Sequence, residues 1–313
     1  MRKIFFIVFP FILFPLLSGC MFMKVNLKEE VRPLEERVLS GEGRDKVLLV
    51  DLSGVIASRE SAPLLGGEKK MSVLERVREE LDRAREDRSV RAVVLRINSP
   101  GGGVTASDTL YHELKKFKRD TGVKVVAHFM DLGTSGAYYV ALAADRITAQ
   151  PTTVTGSIGV IMVRLDIAGL MEKVGVRAHE IASGERKAMG SLFKPLSADE
   201  KKLFQGVIDT LFGRFADTVA AERKLSREAV NQVADGRIFT SQEAKAAWLI
   251  DGIGYLEDAL EAAKKEAGLS RARIVTYRRP GDYGATIYSK SLINIDLGEV
   301  LEPGMKFMYL WWP

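Results

Sequence analysis

Ser135 lies in the run Gly133-Thr134-Ser135-Gly136-Ala137-Tyr138-Tyr139, and Lys187 follows 52 residues later (187 − 135) in Ser183-Gly184-Glu185-Arg186-Lys187-Ala188-Met189-Gly190. No histidine lies between Gly136 and Ala178, so Lys187 is the base candidate that follows the serine. A serine hydroxyl is a poor nucleophile until a base removes its proton, and a lysine does that only when its amine is neutral. An unperturbed lysine titrates near about 10.4, and desolvation lowers such a group by up to roughly 3 to 5 units. Lys187 must therefore be dehydrated when substrate binds. Ahead of the serine, Asn98-Ser99-Pro100-Gly101-Gly102-Gly103 is a glycine cluster whose backbone N–H groups suit a developing oxyanion. Gly136 precedes an apolar helix expected over Tyr138 to Ala144, where free N–H groups favour negative charge. The expected oxyanion donors are Gly136 and either Gly101 or Gly102, and the whole reads as a Ser/Lys hydrolase. Taken singly, a Ser-Gly pair is usually a turn, a lysine a solvated charge, and Gly101 to Gly103 a strand-to-helix turn.

Other titratable groups are weaker candidates. His112 sits in a charged helix and His179 in an expected strand, whereas His128 is expected to end the strand before the serine and is the alternative base. Its closeness in sequence to Ser135 places it on the same strand-loop unit rather than opposite the hydroxyl. Asp145 precedes Arg146-Ile147-Thr148 and reads as a structural contact. Three scattered histidines give no metal-ligand spacing, and no cofactor is implied.

These groups need a rigid frame. Val47 to Leu52, Ala92 to Ile97 and Val123 to Ala127 are short apolar runs typical of buried strands. Leu74, Val77, Leu81 and Ala84 mark a helix between the first two, and a second is expected over roughly Ser107 to Arg119. Alternating strands and helices predict an α/β domain, a parallel sheet covered by helices. After Lys187, Ser197-Ala198-Asp199-Glu200 matches a capping box, and Leu203, Phe204, Val207, Ile208, Leu211, Phe212, Phe215 and Val219 continue it as a long amphipathic helix. This begins a C-terminal helical extension, with a face wide enough for the domain and a neighbouring subunit.

The chain has 313 residues, 46% of them hydrophobic, enough for a sizeable core. Its net charge of +5 comes from interleaved signs, and the densest basic run, Lys115, Lys116, Lys118 and Arg119, lacks interleaved stacking aromatics, so nucleic acid is not an expected partner. The single cysteine, Cys20, forms no intramolecular disulfide. Arg2 and Lys3, an apolar run from Ile4 to Leu17, and Leu17-Ser18-Gly19-Cys20 have the layout of an export signal. The ending resembles the bacterial lipobox, which implies lipidation of Cys20. The alternative is an uncleaved anchor over Ile4 to Met23, weakened by Pro10 and Pro15. Both place an exported catalytic domain at the cell membrane. The expected organisation is a signal or anchor over 1–20, a tether over 21–45, a Ser/Lys hydrolase domain over 46–280 and a tail over 281–313. That tail ends in Met305 to Pro313, too short to span a membrane and apolar. It is expected to pack on the domain or a subunit, or to lie near the substrate groove and limit access.

Asn98 to Gly103, the Ser135 motif followed by Asp145, Thr155-Gly156-Ser157-Ile158-Gly159-Val160, the Lys187 motif and Ala234-Asp235-Gly236-Arg237-Ile238-Phe239-Thr240 together resemble, in order and spacing, the short-form bacterial signal peptide peptidase A family. The resemblance runs from about Val47 to Ala262. It implies a crotonase-like fold shared with the Clp protease subunit, a ring-shaped homo-oligomer, and cleavage of remnant signal peptides and other short apolar peptides. It places the nucleophile at Ser135, the general base at Lys187, the lysine-orienting hydroxyl at Ser157 and the oxyanion loop at the glycines after Pro100. It also implies that serine and lysine of one site come from adjacent subunits. This chain departs from the family at Thr134 and Ala137, beside the nucleophile, and at Trp248, where a glycine is common. Two rival readings remain: an acyl-CoA enzyme on the same fold, disfavoured because no glutamate lies in the nucleophile or oxyanion segments, and a catalytically silent membrane scaffold.

Overall fold

The apolar runs at Val47 to Leu52, Ala92 to Ile97 and Val125 to Ala127 form the centre of a sheet whose residues are nearly all inaccessible to solvent. A computed structural model describes residues 33–58, 71–280, 286–289 and 306–311. The expected export segment and Cys20 lie outside the described residues.

The first elements are β1 (Glu35–Ser40), β2 (Lys46–Ser53), α1 (Val73–Glu86), β3 (Val90–Ser99), β4 (Gly101–Gly103), α2 (Val104–Thr121), β5 (Lys124–Thr134) and α3 (Gly136–Ala141). Then follow β6 (Arg146–Ala149), β7 (Val154–Gly156), β8 (Ile161–Val163), α4 (Ala168–Lys173), α5 (Ala198–Arg223) and α6 (Arg227–Val233). The last are β9 (Ile238–Thr240), α7 (Ser241–Ala246), β10 (Gly252–Ile253), α8 (Leu256–Glu266), β11 (Arg273–Arg278) and β12 (Lys306–Leu310). Strands β11, β2, β3, β5, β6 and β10 pair in parallel in that order. The fold is thus α/β with a largely parallel sheet, as expected.

Successive strand residues face opposite sides, and the two sides bury different partners. Leu48, Val50, Val93, Leu95 and Val125 join the core containing α1, α2 and α3. Val47, Leu49, Val94 and Val126 meet Leu256, Leu260 and Ala263 of α8. Burial on both faces explains why these strands read as continuous apolar runs. Ser72 caps α1 through a capping box with Glu75, and Ser197 caps α5 in the same way with Glu200. Among the described residues no helix is long and apolar enough to cross a membrane.

One expectation changes. Glu35–Ser40, inside the expected tether, is a strand paired antiparallel with β11, so the ordered fold begins before Lys46. Its charged residues are those of a sheet edge, which reads as linker from sequence alone. The apolar tail packs on the domain, one of its expected placements: β12 is the central strand of a second sheet, antiparallel to β4 on one side and β8 on the other.

Candidate active site

Parallel strands deliver their carboxyl ends to one edge, and the candidate residues collect there. Ser135 follows β5 directly and caps α3, with φ at +52°. A serine in the left-handed region is uncommon and costs free energy, so surrounding contacts must hold it. They do. The Ser135 N–H donates to the Gly156 carbonyl at 2.7 Å, the Ser135 carbonyl accepts the Tyr139 N–H at 2.9 Å, and β5 pairs with β7 through Gly133–Thr155 and Thr134–Gly156. Helix α3 is buried throughout.

Ser157 stands just beyond β7, also at positive φ (+50°), so the two strand ends bring both serines to the same place. The Ser157 N–H donates to the Arg237 carbonyl at 2.7 Å, and β9 pairs with β7. The Asp235-Gly236-Arg237 turn therefore sets the height of Ser157. A cavity of about 360 Å³ opens beside it, lined by Ser157, Ile158, Phe212, Asp235 and Leu310 among others.

The glycine loop sits opposite. Gly101 has φ +100°, and its N–H donates to Ser99 Oγ at 3.1 Å, so its contribution is to shape. The Ile56 N–H donates to the Gly101 carbonyl and the Gly103 N–H to the Ile56 carbonyl. A Cβ on Gly102 would stand 2.1 Å from the Ile56 carbonyl oxygen, which only glycine avoids. These bonds leave the N–H of Gly102 as the loop's donor, with that of Gly136 beside it: Gly136 N lies 2.7 Å from where a Gly101 Cβ would stand.

β12 fills the space between. Met308, Tyr309 and Leu310 stand opposite Gly103, Gly102 and Gly101. The Trp311 N–H donates to the Pro100 carbonyl at 2.9 Å. Hydrogen-bonded pairs alternate along an antiparallel ladder, so Tyr309 and Gly102, one such repeat away, exchange bonds as well. The Tyr309 carbonyl oxygen lies 2.1 Å and 3.0 Å from the positions a Cβ would take on Gly101 and Gly136. It therefore lies against these two glycines, and Ser135 is left 1% exposed.

Lys187 is elsewhere. It lies on an exposed arm between β8 and α5, and among the described residues no hydrogen bond joins it to Ser135 or Ser157. Arg164 clamps the base of this arm, donating to the carbonyls of Gly190, Ser191 and Lys194. Leu165, Leu170, Val174, Val176, Ile181 and Phe193 leave large apolar surface on or beside the arm exposed.

The other candidates resolve as follows. His128 lies within β5 rather than at its end, is fully buried, and meets Thr148 Oγ1 at 2.9 Å through Nδ1. Burial lowers it to about 4, against a weaker opposing pull from Asp258 and Glu257. His179 is exposed and outside any strand, because the arm there has no neighbour to pair with. Asp145 accepts the Val125 N–H and pairs with Lys118, a structural role. Lys115 likewise pairs with Glu222. Sequence reasoning quoted Asn98 and Ser99 in the glycine cluster without giving either a role: Asn98 Oδ1 accepts the Leu132 N–H while Nδ2 donates to Asp131, and Ser99 anchors Gly101. A polar pair closing an apolar strand just before Pro-Gly was the available signal.

The sequence profile described as peptidase family S49 matches residues 117–270. The chain is 35% identical over 244 residues to a putative signal peptide peptidase SppA of Enterococcus faecium, covering 78% of this chain and 70% of that protein. It is 38% identical over 231 residues to putative protease slr0021 of Synechocystis sp., covering 74% and 78%. Against the chloroplastic serine protease SPPA of Arabidopsis thaliana it is 33% identical over 261 residues, covering 81% of this chain and 38% of that one. Among solved structures, a ClpP1 mutant from Listeria monocytogenes aligns with TM-score 0.44 and 18% identity, over 68% of this chain and 94% of that one.

Proposed function

Because the chain belongs to peptidase family S49 and is a serine peptidase, we propose that it is a membrane-associated endopeptidase that degrades remnant signal peptides and other short apolar peptides. The observation that carries this reading is the polypeptide strand lying between β4 and β8 with its Tyr309 carbonyl against Gly101 and Gly136. In this reading a peptide extended along the same slot presents its scissile carbonyl to Ser135.

In the proposed reaction the Ser135 hydroxyl attacks the scissile carbonyl carbon while the Lys187 amine takes its proton. The carbonyl oxygen becomes an oxyanion held by the N–H groups of Gly102 and Gly136 at the start of α3. The C–N bond breaks, the leaving amine takes the proton back from Lys187, and an ester to Ser135 remains. Water, deprotonated by the same amine, attacks that ester and releases the acid and free Ser135. Ser157 Oγ orients the amine by accepting one of its hydrogens.

An exposed Lys187 cannot serve its own Ser135 in this arrangement, because a neutral amine requires dehydration. The reading therefore includes a ring of copies in which the arm, with its apolar surface, docks on a neighbour and inserts Lys187 beside that neighbour's Ser157. The cavity there has room for it. Lipidation of Cys20 would hold the ring at the membrane.

Labelling with a fluorophosphonate probe, paired with cleavage of a signal-peptide library, tests this. Labelling and cleavage are expected in the native chain and lost in Ser135→Ala. A chain that cuts normally with alanine at 135 would overturn the assignment. An unlabelled, inactive native chain would favour the silent scaffold.

A further inference from the structure

Ser107 is the fourth residue of α2, just past the glycine loop, and no part of it is exposed. A serine or threonine inside a helix ordinarily turns its hydroxyl back onto a carbonyl one turn earlier. Its neighbours on α2 do so: Thr109 donates to the Thr105 carbonyl at 2.8 Å and Thr121 to the Phe117 carbonyl at 2.7 Å. Ser107 does not. Its Oγ has no hydrogen-bond partner among the described residues. A buried polar atom left unpaired costs stability that alanine in the same place would avoid.

The hydroxyl points across to α3 instead. Its oxygen lies 2.4 Å from the place a Cβ would take on Gly136, nearer than any other neighbouring atom, so a glycine at 136 is what leaves it room. That same place is 3.0 Å from the Tyr309 carbonyl oxygen and 3.1 Å from the Gly102 nitrogen. Polar atoms of α2, β4 and β12 therefore meet over one side of the residue that follows Ser135. Two donors on one acceptor oxygen stand up to about twice a hydrogen-bond length apart, and Ser107 Oγ and Gly102 N are near enough to share one. The neutral Tyr309 carbonyl on that side is not a partner of Ser107.

We infer that the Ser107 hydroxyl is a further catalytic group, donating a third hydrogen bond to the oxyanion beside the N–H groups of Gly102 and Gly136. The inference rests on the proposed Ser135 reaction and adds a residue to it. As the scissile carbon becomes tetrahedral its oxygen moves and gains charge, and a donor that finds its partner only then stabilises the transition state more than the bound substrate. The proton stays on Ser107 throughout, so no covalent bond forms or breaks there. Helix α2 holds the group in place beforehand: Leu110, Leu114 and Phe117 are buried along the same helix, and a donor already fixed needs no reordering during the reaction.

Ser107→Ala in the full chain tests this, with three measurements side by side: cleavage of one signal peptide that the native chain cuts, fluorophosphonate labelling, and a thermal melt. The phosphonyl oxygen of the probe meets the donors that an oxyanion would meet, so labelling reports on them without a known natural substrate. Both kcat and the labelling rate are expected to fall by on the order of tenfold or more, with KM held within about twofold. The melting temperature should hold or rise, because an unpaired buried hydroxyl has been removed. Rates that fall only in step with a lower melting temperature would make Ser107 a packing residue and overturn the inference. So would kcat and labelling within about twofold of native, or a raised KM at unchanged kcat. A native chain that neither cuts nor labels would instead remove the peptidase reading, and this inference with it.

Discussion

The backbone N–H of Ser135 donates to the Gly156 carbonyl at 2.7 Å, one residue before Ser157. Ser135 and Ser157 are therefore coupled through adjacent strand ends of one chain, whereas Lys187 belongs to a separate arm.

That division makes a mixing experiment decisive. Ser135→Ala and Lys187→Ala chains, each inactive alone, should regain part of the activity when assembled together, because some interfaces then pair an intact serine with an intact lysine. The Ser135→Ala/Lys187→Ala double variant mixed with native chain should show no such gain. Rings confirmed as mixed by native mass spectrometry yet fully inactive would mean that each subunit builds its own site.

Removing residues 304–313 takes β12 out of the slot and uncovers Ser135. Cleavage of small peptides should rise severalfold, and fluorophosphonate labelling should become faster. Unchanged rates in an unchanged oligomer would show that β12 leaves the slot too easily to limit access.

Gly102→Ala should abolish activity. The new Cβ would stand 2.1 Å from the Ile56 carbonyl oxygen, a backbone atom without a flexible end, so the loop and its N–H must shift. Losing one oxyanion donor typically costs on the order of 100-fold or more in kcat. A Gly102→Ala chain with near-native kcat would place the donors elsewhere.

His128 gives a pH dependence of stability. Its folded value of about 4 lies below the ordinary value of 6.5, so the unfolded chain binds a proton in that interval and the folded chain does not. Stability is then fully present above about pH 6.5 and falls as the pH drops toward 4, by on the order of 3 kcal/mol. Denaturant melts between pH 7 and 4 should show this slope, and His128→Gln should flatten it while retaining peptide cleavage. Loss of cleavage with a native melt would make His128 the base.

Trp248 is 71% exposed and has φ +60° at the end of α7. A bulky side chain in the left-handed region costs about 1 kcal/mol or more relative to glycine. Trp248→Gly should therefore raise the melting temperature without changing cleavage, and a lower one would reveal packing that outweighs the strain.

The central strands were legible in sequence because burial on both faces leaves continuous apolar runs, as in Val47 to Leu52. So were the capped helices at Ser72 and Ser197, whose signals are local. Glu35–Ser40 was not, since an edge strand carries charges and its partner lies more than 200 residues downstream. β12 raised the same difficulty: its apolar residues announced burial, but no local pattern names Gly101 to Gly103 as their neighbours. Ser135, Gly136 and Ser157 gather because parallel strands share one carboxyl edge, a consequence of alternation that the sequence displays. The separation of Lys187 from Ser135 depends on the direction an exposed arm takes, which apolar spacing does not encode. Trp248 looked like a mere departure until its backbone angle gave the reason a glycine would suit.

On the proposed reading β12 is a blocking strand joined covalently to the domain that carries Ser135. A blocking segment of this kind acts at an effective concentration set by its linker, not by how much protein is present. Dilution would not relieve it, and a small peptide would compete poorly against it. A long peptide, or one held near the slot by a membrane surface, could meet it on equal terms.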